Sequence, residues 1–442
     1  MKTNHVKKII AIFLILVMCL SACDNIPEEN KMSEVTTLTL ATFDNNLYLQ
    51  KQVELYNQTH DDYQIGIQRY ERSEQMEEDG LLLLQREIVS GKGPDIIDFG
   101  SGYTTSDIVG AYTEDLYSYM GTENQEDYFE NVLTAFSYGE CLYAVPLGFT
   151  LESFVGTKKN LGDRSSWTIE EMMECYGGQK KGKTLYPGAF KIDVFGTLLT
   201  GSMEYYIDWN TGICNFAGEE FRNVMEFCNG FPDHLEIPED FSVKQAFMND
   251  VAMLMPISFS TVYDICRAEL IFDEQEIEYI GFPVEGTCGT IIQTCGPVLA
   301  ISRNSIRKDA AWDFISWCLS KSCQSELPLG FPVCRSAFEE KIAEAIDIEY
   351  EMDQSDTQKP VVKQRILFEG EDPIPIYCIT QEQAEQLLAL IESAVIGSST
   401  DRKIYHIFFE EAEYYFNGTK SLDETVDVIQ ARVSMYVNER IK

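Results

Sequence analysis

Apolar and polar positions alternate with period two over 37–42. They then recur at helical spacing at Leu49, Val53 and Tyr56, so a strand followed by a helix is predicted there. A short apolar strand is read at 95–99, after a Gly-Lys-Gly-Pro turn, with further strands at 251–255 and 279–282. Helix starts are marked by hydroxyl residues followed three positions later by Glu or Gln: Thr168 with Glu171, Ser242 with Gln245, Thr380 with Gln383, and Ser421 with Glu424. In that spacing the hydroxyl takes a backbone amide proton and the longer side chain reaches back to the cap. Apolar stripes follow at Ala384, Leu387, Leu388, Ile391 and Val395, and at Leu422, Val426, Ile429, Val433 and Tyr436. A third, Ala311, Phe314, Ile315, Cys318 and Leu319, runs into the break Pro328-Leu-Gly-Phe-Pro332. This alternation of strands and helices places the fold in the α/β class, with no short-period repeat.

The chain has 442 residues, more than one core usually fills, so two lobes are expected. It is 45% hydrophobic and 24% charged, which is ordinary for a globular protein. The 72 acidic against 34 basic residues give a net charge of −38. That surface repels nucleic-acid phosphates and anionic headgroups, so no nucleic-acid partner is expected.

The N-terminus adds a location. Lys2, Lys7 and Lys8 precede an apolar run from Ile9 to Leu20. That run is shorter than the roughly 20 residues a membrane span needs, and it fits a secretory signal. It ends in Leu20-Ser21-Ala22-Cys23, which resembles the bacterial lipobox. Residues 1–22 then read as a lipoprotein signal peptide, 23–33 as a tether, and Cys23 as the lipidated, palmitate-bearing residue. An ordinary signal peptide with an incidental cysteine is the other reading. Losing residues 1–22 removes three lysines and no acids, taking −38 to −41. A tether of ten residues reaches about 35 Å at most. The expected location is the extracytoplasmic face of the cell membrane.

Eleven cysteines remain beyond Cys19 and Cys23, an odd number with no C-x-x-C pair, and only His60, His234 and His406 follow the signal. A zinc site is not expected, and inert thiols are preferred to a disulfide framework. Gly177-Gly-Gln-Lys-Lys-Gly182-Lys183-Thr184 matches the phosphate-loop pattern. It follows a capped helix rather than a strand, and Pro187-Gly188 comes soon after, so a flexible basic loop is expected instead. Asp208 to Glu219 half-resembles a calcium loop but has Ile213 where glycine is required, so a tight turn between strands is preferred. Trp167 reads as a staple onto Met172, with a sugar platform as the alternative. Among so many acids a pair of carboxylates carries little information about glycoside cleavage. There is no G-x-S-x-G elbow.

The ordered set of motifs resembles the bacterial extracellular solute-binding proteins of the family that includes maltodextrin- and oligosaccharide-binding proteins. The matching stretches are 38–59, Gly93-Pro-Asp-Ile-Ile97, Tyr143-Ala-Val-Pro146, Ala246-Phe247 through Ala252-Met253, Ile301-Ser302 with Lys308-Asp-Ala-Ala-Trp312, and Tyr415 through Glu439. The resemblance implies a two-lobed, type II periplasmic-binding-protein-like α/β fold, with 34–146 and 297–328 as one lobe and 147–296 and 329–442 as the other. It implies no catalysis and no cofactor or metal. It implies a protein, expected as a monomer, that carries a saccharide in the interlobe cleft to an ABC permease; missing tryptophans at the family's ring positions favour a small oligosaccharide, and the acidic charge a neutral one. By position in the family, the ligand contacts are Phe43, Asp44 and Asn45 after the first strand, Ser101 and Tyr103, Phe149 and Thr150 in the crossing, Phe259, and Glu382 on a late helix. Aromatic faces would stack on sugar rings while carboxylate and amide oxygens accept hydroxyl protons. A peptide, polyamine or other non-sugar solute on the same fold is the runner-up, and a lipoprotein glycosidase the remote alternative.

Overall fold

The computed structural model describes residues 36–70, 78–100, 110–121, 125–209, 211–235, 241–273, 275–284, 286–352, 358–368, 372–394, 396–397 and 401–440. The signal, lipobox and tether, together with Ser101, Tyr103 and Val395, lie outside these. Among the described residues no helix is long and apolar enough to cross a membrane.

One nine-stranded mixed sheet organises the chain. The parallel strands β1 (Thr36–Thr42), β2 (Tyr63–Arg69) and β3 (Ile96–Asp98) form one end of it. Two long strands, β4 (Val145–Thr157) and, further along the chain, Ile291–Ile301, run antiparallel from that end to the other. The small hairpin of β5 (Ile207–Asp208) and β6 (Ile213–Cys214) stands apart from the sheet. At the far end β7 (Leu254–Phe259) and β8 (Ile277–Tyr279) pair with β4; the Ile291–Ile301 strand is β9. A third passage of the chain, β10 (Phe331–Pro332), pairs with Gly148 and Phe149 in the middle of β4.

The observed strands begin away from two of the expected positions. The 251–255 strand is displaced to β7, because Ala252 bridges Thr184 and the ladder to β4 starts only at Leu254. The 279–282 strand is displaced to β8, since the chain turns away at Gly281, whose φ is +72°.

Capped helices flank the sheet. Thr168, Thr380 and Ser421 each exchange both capping hydrogen bonds with Glu171, Gln383 and Glu424. Ser242 accepts from the Gln245 amide. The stripe from Ala311 to Leu319 is fully buried, as are Ala384, Leu387 and Ile391, and Val426, Ile429 and Val433. Trp167 is buried in the same cluster as Met172 and donates its indole N–H to the Gly281 carbonyl at 3.1 Å.

The phosphate-loop look-alike is largely exposed, but not at its lysine. Lys183 turns inward, pairs with Asp250, and donates to Asn160 Oδ1 at 2.9 Å and Gln179 Oε1 at 3.1 Å. No helix starts until Lys191, so its ammonium pins a loop rather than reaching a phosphate. Asp208 closes the β5–β6 turn by accepting from the Thr211 hydroxyl at 2.6 Å, as the tight-turn reading requires. All eleven cysteines from Cys141 to Cys378 are free thiols.

Candidate functional site: a polar gap at the middle of the sheet

Side chains alternate across a strand, so β4 shows two different surfaces. On one, Val145, Leu147, Phe149, Leu151 and Val155 belong to a single apolar cluster that continues from Leu38 and Leu40 at one end of the sheet to Phe272 and Tyr279 at the other. On the opposite surface the apolar core is split in two. Ala41, Ile97, Phe99, Ala144, Val298 and Ala300 form one cluster at the β1 end. Phe154, Leu254 and Ile291 belong to another at the β7 end.

The residues between these two clusters are polar. The register places Gly148 opposite Cys295, Thr150 opposite Gln293, and Glu152 between Ile291 and Ser258. Thr150, Glu152, Gln293 and Cys295 are half-buried and Ser258 is exposed. A sheet that needed only stability would bury this stretch on both faces, as it does on the other side. The ladder is irregular there too: its register shifts between Pro146 and Gly148, opposite Gly296, which has φ +80°.

The loop after β1 overhangs the gap. A Cβ on Gly296 would lie 3.9 Å from Asn46 Nδ2, which puts this loop against the floor. Asn45, exposed beside it, accepts from Gln50 and Arg69 at 2.6 Å each. Asp44 packs close to Gly100, where an added Cβ would lie 2.6 Å from its Oδ2. Asp98 ties this rim together. Its Oδ1 accepts the N–H groups of Gly100 and Val298, both at 3.0 Å, and its Oδ2 accepts the Thr42 hydroxyl at 3.1 Å. Burial pushes the Asp98 carboxyl up to about 6 and the nearby Asp44 adds to this, while those three donors oppose it. Glu152 on the floor is also raised by burial, opposed by a hydrogen bond from Gln293.

The third passage closes the gap from the side. Gly330 donates to the Ser260 carbonyl at 2.9 Å and has φ +81°. A Cβ there would fall 2.9 Å from the Phe149 carbonyl oxygen and 3.0 Å from Cys295 Sγ. Gly148 is as tight, with 3.1 Å to the Cys295 carbonyl oxygen. Three backbones can come this close only because two of them carry glycine.

Of the expected residues, Thr150 lies on the floor of the gap, and Asp44 and Asn45 belong to the loop whose Asn46 approaches that floor. Phe149 and Phe259 differ from expectation. Both are wholly buried on the other face, Phe149 against Phe129 and Phe331, and Phe259 against Tyr279. Neither ring offers a face to a ligand here, because residues adjacent in a strand point to opposite sides and Phe259 pairs with Leu151. Phe43 is buried against Tyr70, with ring centroids 5.9 Å apart. Glu382 is exposed in the first turn of helix Gln381–Ser393, whose apolar face packs on the continuous cluster. Glu152, Gln293, Cys295 and Ser258 were not anticipated. The alternation of Thr150 and Glu152 with Phe149 and Leu151 is the signal that could have found the first of them.

Comparison with known proteins agrees with this architecture. The sequence model for a bacterial extracellular solute-binding protein matches residues 51–328, well over half the chain. No curated protein sequence matches. Among solved structures, the sugar-binding protein MalE from Xanthomonas citri superposes with a TM-score of 0.58 at 16% identity, covering 92% of this chain and 98% of its own. A periplasmic oligogalacturonide-binding protein from Yersinia enterocolitica also gives 0.58, at 13% identity over 92% and 100%. The cyclic α-maltosyl-1,6-maltose binding protein from Arthrobacter globiformis gives 0.54, at 14% over 91% and 99%. At these identities the likeness is one of fold, the type II periplasmic-binding-protein fold. The chain belongs to the bacterial extracellular solute-binding proteins.

Proposed function

We propose that this protein is the substrate-binding lipoprotein of an ABC importer, holding a small oligosaccharide in the polar gap and delivering it to the permease. The observation that carries the reading is the one-sided interruption of the core: continuous on the back of β4 and β9, split on the front, with hydroxyl, amide and carboxylate groups filling the split. Such groups suit the alternating donors and acceptors of a sugar. The lobes are 34–146 with 297–328 and 147–296 with 329–442, joined by β4, β9 and the passage through β10. Cys23 carries the lipid that keeps the body at the membrane. The protein acts as a monomer and turns nothing over, so assays on generic glycosides stay silent.

A ligand touching both lobes binds the closed form better and shifts the population toward it. The test is thermal shift against a saccharide, peptide and polyamine panel, followed by small-angle scattering with whichever compound binds. A saccharide is expected to raise the melting temperature and shrink the radius of gyration. Scattering unchanged at saturation with a binding-confirmed sugar would refute closure, and stabilisation by polyamines or peptides alone would refute the sugar.

A further inference from the structure

We propose that Glu152 is the specificity-determining residue of the gap, admitting saccharides that present hydroxyl or amine donors and turning away those that present carboxylates. This rests on the saccharide reading above and adds the ligand's charge class and the residue that sets it.

Glu152 sits on the floor where it meets the β7-end core, between Ile291 and Ser258 in the ladder, with Thr150 two residues before it and Phe154 two residues after. Among the described residues no cation pairs with it, and burial is the main influence on its carboxyl. Its one side-chain partner is the neutral amide of Gln293. Several other buried or half-buried carboxylates are met more fully: Asp250 by Lys159 and Lys183, Glu411 by Lys420 and Arg432, Glu114 by Lys308, and Asp98 and Asp264 by backbone and hydroxyl donors. A carboxylate has about four lone-pair sites, and one amide leaves most of them open toward the gap. A sugar hydroxyl or ammonium can fill those sites. A uronate carboxylate would instead bring a second negative charge into a half-buried place. The Yersinia relative is described as binding oligogalacturonide, so fold alone does not decide between neutral and anionic sugars, and a floor residue of this kind would.

The test is calorimetric titration of the mature chain at pH 7 with maltotriose, glucosamine trimer and galacturonate trimer, on wild type, Glu152→Gln and Glu152→Asp. Wild type is expected to bind at least one of the first two and not the galacturonate. Glu152→Gln should weaken maltotriose at least about tenfold, the size of losing a hydrogen bond to a charged group. It should weaken the glucosamine trimer more, and let the galacturonate in. Glu152→Asp, which keeps the charge, should keep the wild-type ranking and so separates charge from any folding defect. Galacturonate binding to wild type as tightly as maltotriose, or equal effects of Glu152→Gln on all three, overturns the role of Glu152. Silence with all three probes overturns the saccharide reading itself.

Discussion

Replacing Asp250 by Asn should destabilise the protein more than replacing its partner Lys183 by Met. The Lys183 side chain is 2% exposed, while that of Asp250 is 29% exposed and also meets Lys159 at 3.2 Å. Asp250 holds φ at +58°, a conformation asparagine also tolerates, so Asp250→Asn removes charge with little backbone strain. It leaves a buried ammonium facing only neutral amide oxygens, those of Asn160, Gln179 and the substituted side chain, and removing its counter-charge in this way costs about 3 kcal/mol. Lys183→Met removes the buried charge and keeps an apolar stem. Asp250 retains Lys159, and the loss is two amide oxygens without a donor, about 1–2 kcal/mol. Urea unfolding followed by the fluorescence of Trp167 and the other tryptophans measures both. Burial works against ionisation of Asp250, but the two ammonium groups hold its carboxyl below the usual range. The native state therefore releases that proton more readily than the unfolded chain. The stabilisation is complete above pH of about 4 and fades as the pH falls through the native value. Calorimetry with ATP should show no binding to wild type. A larger cost for Lys183→Met than for Asp250→Asn, or ATP binding that Lys183→Met abolishes, would refute the structural role of this loop.

Two further outcomes concern the gap. Asp98 is raised to about 6 by burial, so the folded protein binds its proton more tightly than the unfolded chain does. Its contribution therefore rises as the pH falls from 7 to 4, by about 3 kcal/mol for a shift of about two units; Asp98→Asn should flatten this part of the stability–pH curve, read by urea midpoints across that range. Gly330→Ala forces a Cβ against the Phe149 carbonyl at φ +81° and should cost about 1–3 kcal/mol, again by urea unfolding; an unchanged midpoint would mean that the β10 passage gives way easily.

The caps and stripes were readable because each is local. Thr168 and Glu171 recognise one another within a single turn, and Ala311 to Leu319 buries one face whatever it packs against. Strand limits were not, because they are set by distant partners: β7 begins where β4 meets it at Gly156, about a hundred residues away in sequence. The same applies to the gap. Positions 149 and 150 cannot both face a ligand from a regular strand, and which one does depends on where the front core stops. That boundary is fixed by Val298 and Ile291, from another crossing. Position in a family singled out a strand that borders the gap, at Thr150, and the loop beside it, at Asp44 and Asn45. The aromatic residues beside them were needed by the core.

The order of strands in the sheet also has a bearing on when the chain can fold. β3 is flanked by β1 and by β9, and nearly 200 residues separate β3 from β9 along the chain. A chain made N-terminus first presents β1 to β3 with an open edge until residue 301 has appeared. An unpaired edge of that kind invites sticking to other chains. Pairing of this sheet is therefore a late event in the chain's own synthesis, and the interval before β9 arrives is when the chain is most open to wrong partners.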